Sequence, residues 1–248
     1  GALAGDEAEL NTLAGHFGIE DFADTLHKRL QDISDAARAN ALDPEGVRES
    51  GRRSLASLLG VFPAAAEDDL DGQLAAALQT AKAVLEAAAD GIDKTAKALD
   101  LLRKLSSRPV ADFAWIDWVR LTKLDPSAKL RAAVLPLRNA AAAHVRHPRL
   151  RADLERWTTL LFEVAARALE RFQQWKRERR LMDFVDQEAM VLSLLGRADV
   201  RDRLKEDLDL LLVDEFQDTS PIQLAVFLRL LDLAPRAEWV GDPKQSIF

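Results

Sequence analysis

The stretch that decides the fold is Leu208-Asp209-Leu210-Leu211-Leu212-Val213-Asp214-Glu215-Phe216-Gln217-Asp218-Thr219-Ser220-Pro221, followed after one helix length by Trp239-Val240-Gly241-Asp242-Pro243. Leu208, Leu210, Leu211, Leu212 and Val213 form a short apolar run broken only by Asp209. A run of that length, stopped by Asp214-Glu215, predicts a strand. Pro221 suits a first helical turn, where its missing N–H costs nothing. Leu224, Phe227, Leu228 and Leu231 give that helix one apolar face. Trp239 and Val240 predict a second strand, ending at Gly241-Asp242-Pro243. Strand, helix and strand within about forty residues make a βαβ unit with a right-handed crossover. Strands of this kind belong to a parallel sheet covered on both faces. Two of them do not complete one, so an incomplete α/β portion is expected here.

Upstream, the hydrophobic period changes from that of strands to that of helices. Phe22, Leu26, Leu30 and Ile33 recur at helical spacing, as do Leu70, Leu74, Leu78 and Leu85. Leu99, Leu102 and Leu105 repeat the pattern, and so do Leu154, Trp157, Leu161, Val164, Ala168 and Phe172. Tyr is absent and Ala abundant, which favours packed helices over a large sheet. Breaks fall at Asp43-Pro44-Glu45-Gly46, Phe62-Pro63, Ser107-Arg108-Pro109, Asp125-Pro126 and His147-Pro148. Nothing interrupts Pro148 to about Arg180, which predicts one long helix. Asp183 reads as the N-cap of a further helix carrying Phe184, Met190, Leu192 and Leu195, ending near Gly196.

Composition narrows the class. The 248 residues are 48% hydrophobic and 30% charged, which excludes a disordered or fibrous chain. With 0 Cys there is no disulfide framework and no thiolate metal site. No apolar run is long enough to span a membrane and no export signal is visible, so a cytoplasmic address is expected. The net charge of −7 conceals a segregation. Residues 1–93 carry 18 acidic and 7 basic side chains, residues 94–180 carry 9 and 20, and residues 181–248 carry 14 and 7. The cationic middle third suits an anion-binding face. It equally suits long solvated helices whose cations pair with acids one turn away.

Asp214 and Glu215 fall at the C-terminal edge of a parallel sheet, where open α/β folds bind ligands. Asp214 at a strand tip suits a Mg²⁺ ion that bridges nucleotide phosphates. Glu215, one residue on, suits orienting or deprotonating an attacking water. An acidic dipeptide after a strand is also what an ordinary polar loop looks like. The second strand, however, ends at the same edge in Gly241-Asp242-Pro243-Lys244-Gln245-Ser246-Ile247-Phe248. With this pair of motifs the sequence resembles the UvrD/Rep-like helicases of superfamily 1, and within them the AddA/RecB helicase–nuclease motor subunits most of all. Val213-Asp214-Glu215-Phe216-Gln217-Asp218-Thr219 is similar to their motif II, a Walker B with a Gln-Asp-Thr extension. Residues Gly241 to Phe248 resemble their motif III, in the Pro-Lys-Gln version of AddA/RecB. Asp183-Phe184-Val185-Asp186 resembles the Asp-Phe-x-Asp element that precedes motif II.

The resemblance implies a fold and a set of roles. The fold is mostly α: a helical insertion subdomain of the first motor domain over 1–180, then an incomplete α/β (RecA-like, P-loop NTPase) portion over 181–248. By resemblance Asp214 serves Mg²⁺, Glu215 the hydrolytic water, and Gln245 senses the γ-phosphate, with Asp242 beside it at the nucleotide. Gln217 and Asp218 link nucleotide state to the strand-binding surface. Phe248 stands where the family carries an aromatic that stacks on a base, although a core position at a strand end fits it as well. Phe184 is open between core anchor and DNA contact. The implied cofactors are ATP and Mg²⁺, and the implied partners are single-stranded DNA, a duplex end and a second helicase–nuclease subunit.

No G-x-x-x-x-G-K-[ST] phosphate loop occurs; Gly91-Ile92-Asp93-Lys94-Thr95 lacks the second Gly and the spacing. The family places that loop upstream of residue 1 and its second motor domain downstream of residue 248. The expectation is therefore a fragment of a helicase–exonuclease type motor in double-strand break repair, inactive by itself. The alternatives are a repair helicase without nuclease partner, or a non-catalytic DNA-binding scaffold. Candidate phosphate contacts in the cationic third are Arg138, Arg146, Arg149 and Arg151, and more strongly Lys176, Arg177, Arg179 and Arg180. Trp115, Trp118, Trp157 and Trp175 read as core, because Trp115/Trp118 and Phe172/Trp175 share helix faces. His144 and His147 lack a third ligand for zinc. Glu67-Asp68-Asp69 with Asp71 reads as a helix-start charge cluster.

Overall fold

The computed structural model describes residues 2–88 and 90–242, and side chains from residue 5 onward. The N-terminal helices are α1 (Ala2–Phe17), α2 (Phe22–Ala39), α3 (Pro44–Gly60), α4 (Leu70–Ala88) and α5 (Asp93–Leu105). Next come α6 (Trp115–Thr122), α7 (Arg131–Ala142) and the 32-residue α8 (Pro148–Arg179). The chain continues with α9 (Phe184–Leu194), α10 (Ala198–Asp207), β1 (Leu211–Val213), α11 (Pro221–Leu231) and β2 (Ala237–Trp239). The prolines at 44, 148 and 221 each open a helix, as their fixed φ and missing donor dictate. The mostly helical class and the short parallel pair follow the sequence reading. No helix among the described residues is long and apolar enough to cross a membrane.

The chain divides into two compact units, residues 1–28 with 50–161, and residues 29–49 with 162–248. Compactness thus changes at 161/162, within α8. The reason is a non-local packing that the sequence pattern does not carry: Ala37 and Val47 pack with Ala165, Ala166 and Leu169. The alanines at 37, 165 and 166 let helix backbones approach closely.

In the first unit, Leu70, Leu74, Leu78, Ala81 and Leu85 make one buried stripe on α4. They join Leu102 and Leu105 of α5, Trp115, Trp118 and Leu121 of α6, and Val134, Leu137 and Ala141 of α7 in one core. Asp117, buried at the start of α6, accepts from the Ala114 N–H at 3.2 Å and pairs with Arg108 and Arg120. Asp153, also buried, accepts from Trp115 Nε1 at 2.8 Å and faces His16 Nδ1 at 3.2 Å. The His147 ring packs edge-on to Trp115 and Trp118. Its Nδ1 accepts from the Arg149 N–H at 3.1 Å, which leaves Nε2 to donate to Asp71 at 3.3 Å. His147 is therefore a core histidine, and no group of three metal-ligating side chains exists among the described residues.

The second unit holds the sheet. β1 and β2 are parallel, with Leu211 opposite Ala237, Leu212 opposite Glu238 and Val213 opposite Trp239. Leu211, Val213 and Ile222 are buried, whereas Leu212 is 63% exposed. The burial of both sheet faces expected from the apolar run is thus not met on the Leu212 side among the described residues. Period-2 geometry turns Leu212 away from its two neighbours. α11 is capped reciprocally: Ser220 Oγ accepts from the Gln223 N–H at 3.3 Å, and Gln223 Oε1 accepts from the Ser220 N–H at 3.0 Å. Gln223 also donates to Glu188 of α9 at 2.7 Å.

α8 ends where Arg180 takes φ +55°. The Leu181 N–H reaches the Lys176 carbonyl at 3.0 Å and the Arg180 N–H the Arg177 carbonyl at 3.2 Å, the double closure usually built on glycine. Asp183 then caps α9 as the sequence predicts, accepting from the Asp186 N–H at 3.1 Å while Asp186 accepts from the Asp183 N–H at 3.0 Å. Burial pushes the Asp183 carboxyl up, but the Asp186 N–H, Arg38 and Lys176 outweigh it and hold the carboxyl below its ordinary value. A carboxylate depressed in the folded state contributes its stability above its unfolded pKa, near 3.9, and loses it as pH falls through the lower folded value. Asp183→Asn is therefore expected to lower the urea midpoint at pH 6 and to match the parent at about pH 2. An equal difference at both values would show that charge is not the cause.

Candidate active site

Parallel pairing brings the ends of β1 and β2 to one edge of the sheet. The Val240 N–H donates to the Val213 carbonyl at 2.8 Å, and the Phe216 N–H donates to the Val240 carbonyl at 3.0 Å. The ladder therefore continues one step past each strand, so that Asp214-Glu215 and Gly241-Asp242 lie on adjoining backbones. Phe216 and Trp239 close the base of this edge edge-to-face, with ring centroids 5.0 Å apart. Phe227 of α11 packs on the same indole.

Asp214 and Glu215 are both exposed to solvent. Asp214 Oδ1 accepts from the Glu215 N–H at 2.9 Å, and its other oxygen has no partner among the described residues. Glu215 adopts φ +51° and ψ +42°, a left-handed conformation that costs a non-glycine residue of order 1 kcal/mol or more. A turn of 3₁₀ helix over Phe216–Asp218 follows, closed by the Thr219 N–H on the Phe216 carbonyl at 3.2 Å. The left-handed kink ends the strand abruptly and turns Asp218 outward.

Gln217 bridges the two loops. Its Nε2 donates to Glu215 Oε2, and its Oε1 accepts from the Asp242 N–H at 2.9 Å. One amide thus senses the acid of one motif and the backbone of the other. Gly241 makes the approach possible. A Cβ there would fall 2.6 Å from Gln217 Oε1 and 3.2 Å from both Phe216 Cβ and the Phe216 nitrogen. The resemblance implies a coupling role for Gln217 and places Gly241 at the start of motif III, but assigns Gly241 no role of its own.

The hard-oxygen donor set fits Mg²⁺, which takes one or two carboxylates and completes its shell with phosphate oxygens and water. Gln245 and Phe248 lie outside the described residues. Asp242 is half-buried at the edge itself.

The expected phosphate contacts separate into two kinds. Lys176 is corrected: it is 6% exposed, with Nζ 2.6 Å from both oxygens of Asp186 and 3.3 Å from Asp183. An ammonium so enclosed has no donor to spare for a phosphate. Arg38 completes the cluster on Asp183. Arg138, Arg149 and Arg151 are likewise committed, to the carbonyls of Thr122, of Ala111 and Phe113, and of Phe62 and Pro63. Arg146, Arg177, Arg179 and Arg180 are exposed. Phe184 is 82% exposed, so it is no core anchor in this unit. Of the four tryptophans read as core, Trp115 and Trp118 are buried and Trp157 is half-buried against Phe17. Trp175 is corrected to the surface at 44% exposure, stacked on an equally open Phe172. Spacing places the pair on one helix face but does not say whether that face is buried.

The chain matches the family model of the UvrD/REP helicase N-terminal domain over residues 9–248. It is 34% identical over 110 residues to an ATP-dependent helicase/nuclease subunit of Staphylococcus saprophyticus, covering 40% of this chain and 9% of that protein. It is 38% identical over 86 residues to the RecBCD enzyme subunit RecB of Mycobacterium tuberculosis, covering 34% of this chain and 8% of that protein. The corresponding ATP-dependent helicase/nuclease subunit of Latilactobacillus sakei is 37% identical over 91 residues, 36% of this chain and 10% of its own length. The chain spans about a tenth or less of the length of these curated relatives. By the extent of the family match, the chain belongs to the UvrD/REP helicase N-terminal domain family.

Proposed function

We propose that this chain supplies the motif II and motif III edge of an ATP-driven DNA motor, a repair helicase of the helicase–nuclease type. The observation that carries the reading is the joining of the Asp214-Glu215 tip to the Gly241-Asp242 tip through Gln217. RecA-like cores use such an edge to register whether a triphosphate is present. Bound Mg²⁺–ATP would supply the scissile phosphoanhydride and the charge that the acids answer. Asp214 would hold the metal, directly or through water, with its uncommitted oxygen. Glu215 would orient the attacking water and accept its proton. Gln245 would meet the terminal phosphate, and Gln217 with Asp218 would pass the change toward the DNA surface. The cradle for the β- and γ-phosphates would come from outside these 248 residues, so the chain by itself is expected to hydrolyse no ATP. Detectable DNA-stimulated turnover by the chain alone would contradict this.

Residues 1–180 are proposed as the helical insertion of the first motor domain and 181–248 as part of its RecA-like core. The proposed partners are single-stranded DNA, a duplex end and a second helicase–nuclease subunit, in the cytoplasm. The names of the similar proteins support the nuclease-associated form. Arg177, Arg179 and Arg180 remain the proposed phosphate contacts near the core, and Phe248 a proposed base contact.

Gly241→Ala tests the bridge without touching an acid. The added methyl must push aside the Gln217 amide, whose Oε1 lies 2.6 Å from the new carbon, and so break its hydrogen bond to the Asp242 N–H. The expected result, in a protein that joins this chain to a phosphate loop, is a loss of DNA stimulation of ATPase with nucleotide affinity kept within about twofold. Retained stimulation would remove the Gln217 bridge from the coupling path.

A further inference from the structure

We infer that the C-terminal end of α8 is a stacking platform for unpaired nucleic-acid bases, built from Phe172, Trp175 and Arg179. The inference rests on the DNA-motor reading for its ligand class and on geometry for its place. Residues 172, 175 and 179 stand at i, i+3 and i+7 and share one helix face. The Phe172 and Trp175 rings lie 12° from parallel with centroids 6.1 Å apart. The Arg179 guanidinium sits 4.8 Å from the Trp175 ring centroid. Three planar groups thus form a column along the helix, with the two rings 38% and 44% exposed.

The two sides of this column are electrically different. Lys176 and Arg38 lie over Phe172 at 4.7 and 5.4 Å and are neutralised by Asp183 and Asp186. They fix the column from within. Outward, Arg171, Arg177, Arg179 and Arg180 are exposed against the single exposed acid Glu178 in the same ten residues. Arg177 is held by Gln174 at 2.9 Å, and Arg179 approaches Glu178 only at 3.9 Å. An exposed indole flanked by exposed guanidinium groups offers bases a stacking face and phosphates a cationic one. Bases stack on aromatic rings and on arginine planes with little sequence preference. Duplex DNA hides those faces, so the platform selects single strands.

The test measures binding of this chain to a labelled oligothymidylate, to an abasic oligonucleotide of equal length and to a duplex, by fluorescence anisotropy. Trp175 is exposed, so Trp175→Ala is expected to keep the fold, checked by its unfolding midpoint. It should weaken oligothymidylate binding about tenfold. Trp175→Phe should restore most of that loss. The abasic strand should bind the parent about as weakly as the thymidylate binds Trp175→Ala. Equal thymidylate affinity for parent and Trp175→Ala overturns the platform, as does an abasic strand bound as tightly as thymidylate, or a parent that binds neither. A duplex weakened in parallel overturns the preference for unpaired bases. A Trp175→Ala variant that changes self-association instead assigns the face to a second copy and also overturns it. None of these outcomes touches Glu215, so the motor reading stands or falls separately on ATP turnover.

Discussion

Glu215→Gln, in a protein that joins this chain to a phosphate-binding loop, is expected to cut ATP turnover by about 10²–10⁴-fold while nucleotide affinity stays nearly unchanged. The amide keeps the size of the acid and can still accept from Gln217, so the bridge between the motifs survives. What disappears is the group that can take a proton from water. Asp214, the proposed metal ligand, is untouched. A fall in affinity that accounts for the whole loss would make Glu215 a binding residue. Unchanged turnover would remove it from the chemistry.

The backbone at this position offers a second readout. Glu215 is left-handed, so Glu215→Gly relieves a conformation that an L side chain adopts only at a cost. That variant is expected to lose turnover while its unfolding midpoint holds or rises. Strain kept at a residue whose removal stabilises the fold is the pattern of a position selected for function. A clear drop in the midpoint would instead make the Gln217–Glu215 hydrogen bond a structural necessity.

Trp118→Ala is expected to cost the first unit about 3–5 kcal/mol of stability. The side chain is fully buried among the leucines of α4, α5 and α7, tilted against Trp115 and edge-to-face with the His147 ring. Truncation leaves a cavity that four packed helices cannot collapse. Trp118→Phe separates volume from polarity. Among the described residues the indole Nε1 is buried without a hydrogen-bond partner, so the smaller ring discards an orphaned donor along with some contact area. Its urea midpoint should fall far less than that of the alanine variant. Equal falls would mean that the indole shape itself is required.

What can be read in advance is local. The leucine stripe of α4, the unbroken run of α8, the cap at Asp183 and the two strand ends each declare themselves within a few residues. The acid pair does not by itself, because Asp-Glu after a strand is also an ordinary polar loop; it reads as a site only beside the Gln-Asp-Thr extension and the Gly-Asp-Pro-Lys-Gln stretch after the second strand. The residues that sequence misplaces depend on partners far along the chain. Lys176 reads as a surface cation because charge normally means water, yet Asp183, Asp186 and a helix 138 residues upstream, through Arg38, enclose it. Trp175 reads as core because aromatic spacing names a shared face but not its direction. The membership of residues 29–49 in the second unit rests on Ala37 and Val47, small side chains that announce nothing. Gly241 matters only because Gln217, 24 positions earlier, reaches across to Asp242.

The most direct test is a structure of the motor with Mg²⁺ and a non-hydrolysable ATP analogue. Asp214 should then ligate the metal directly or through one water, with the Glu215 carboxylate facing the terminal phosphate and Gln217 still spanning to Asp242. A nucleotide bound away from the C-terminal edge of β1 and β2, with Asp214 and Glu215 left in solvent, would contradict it.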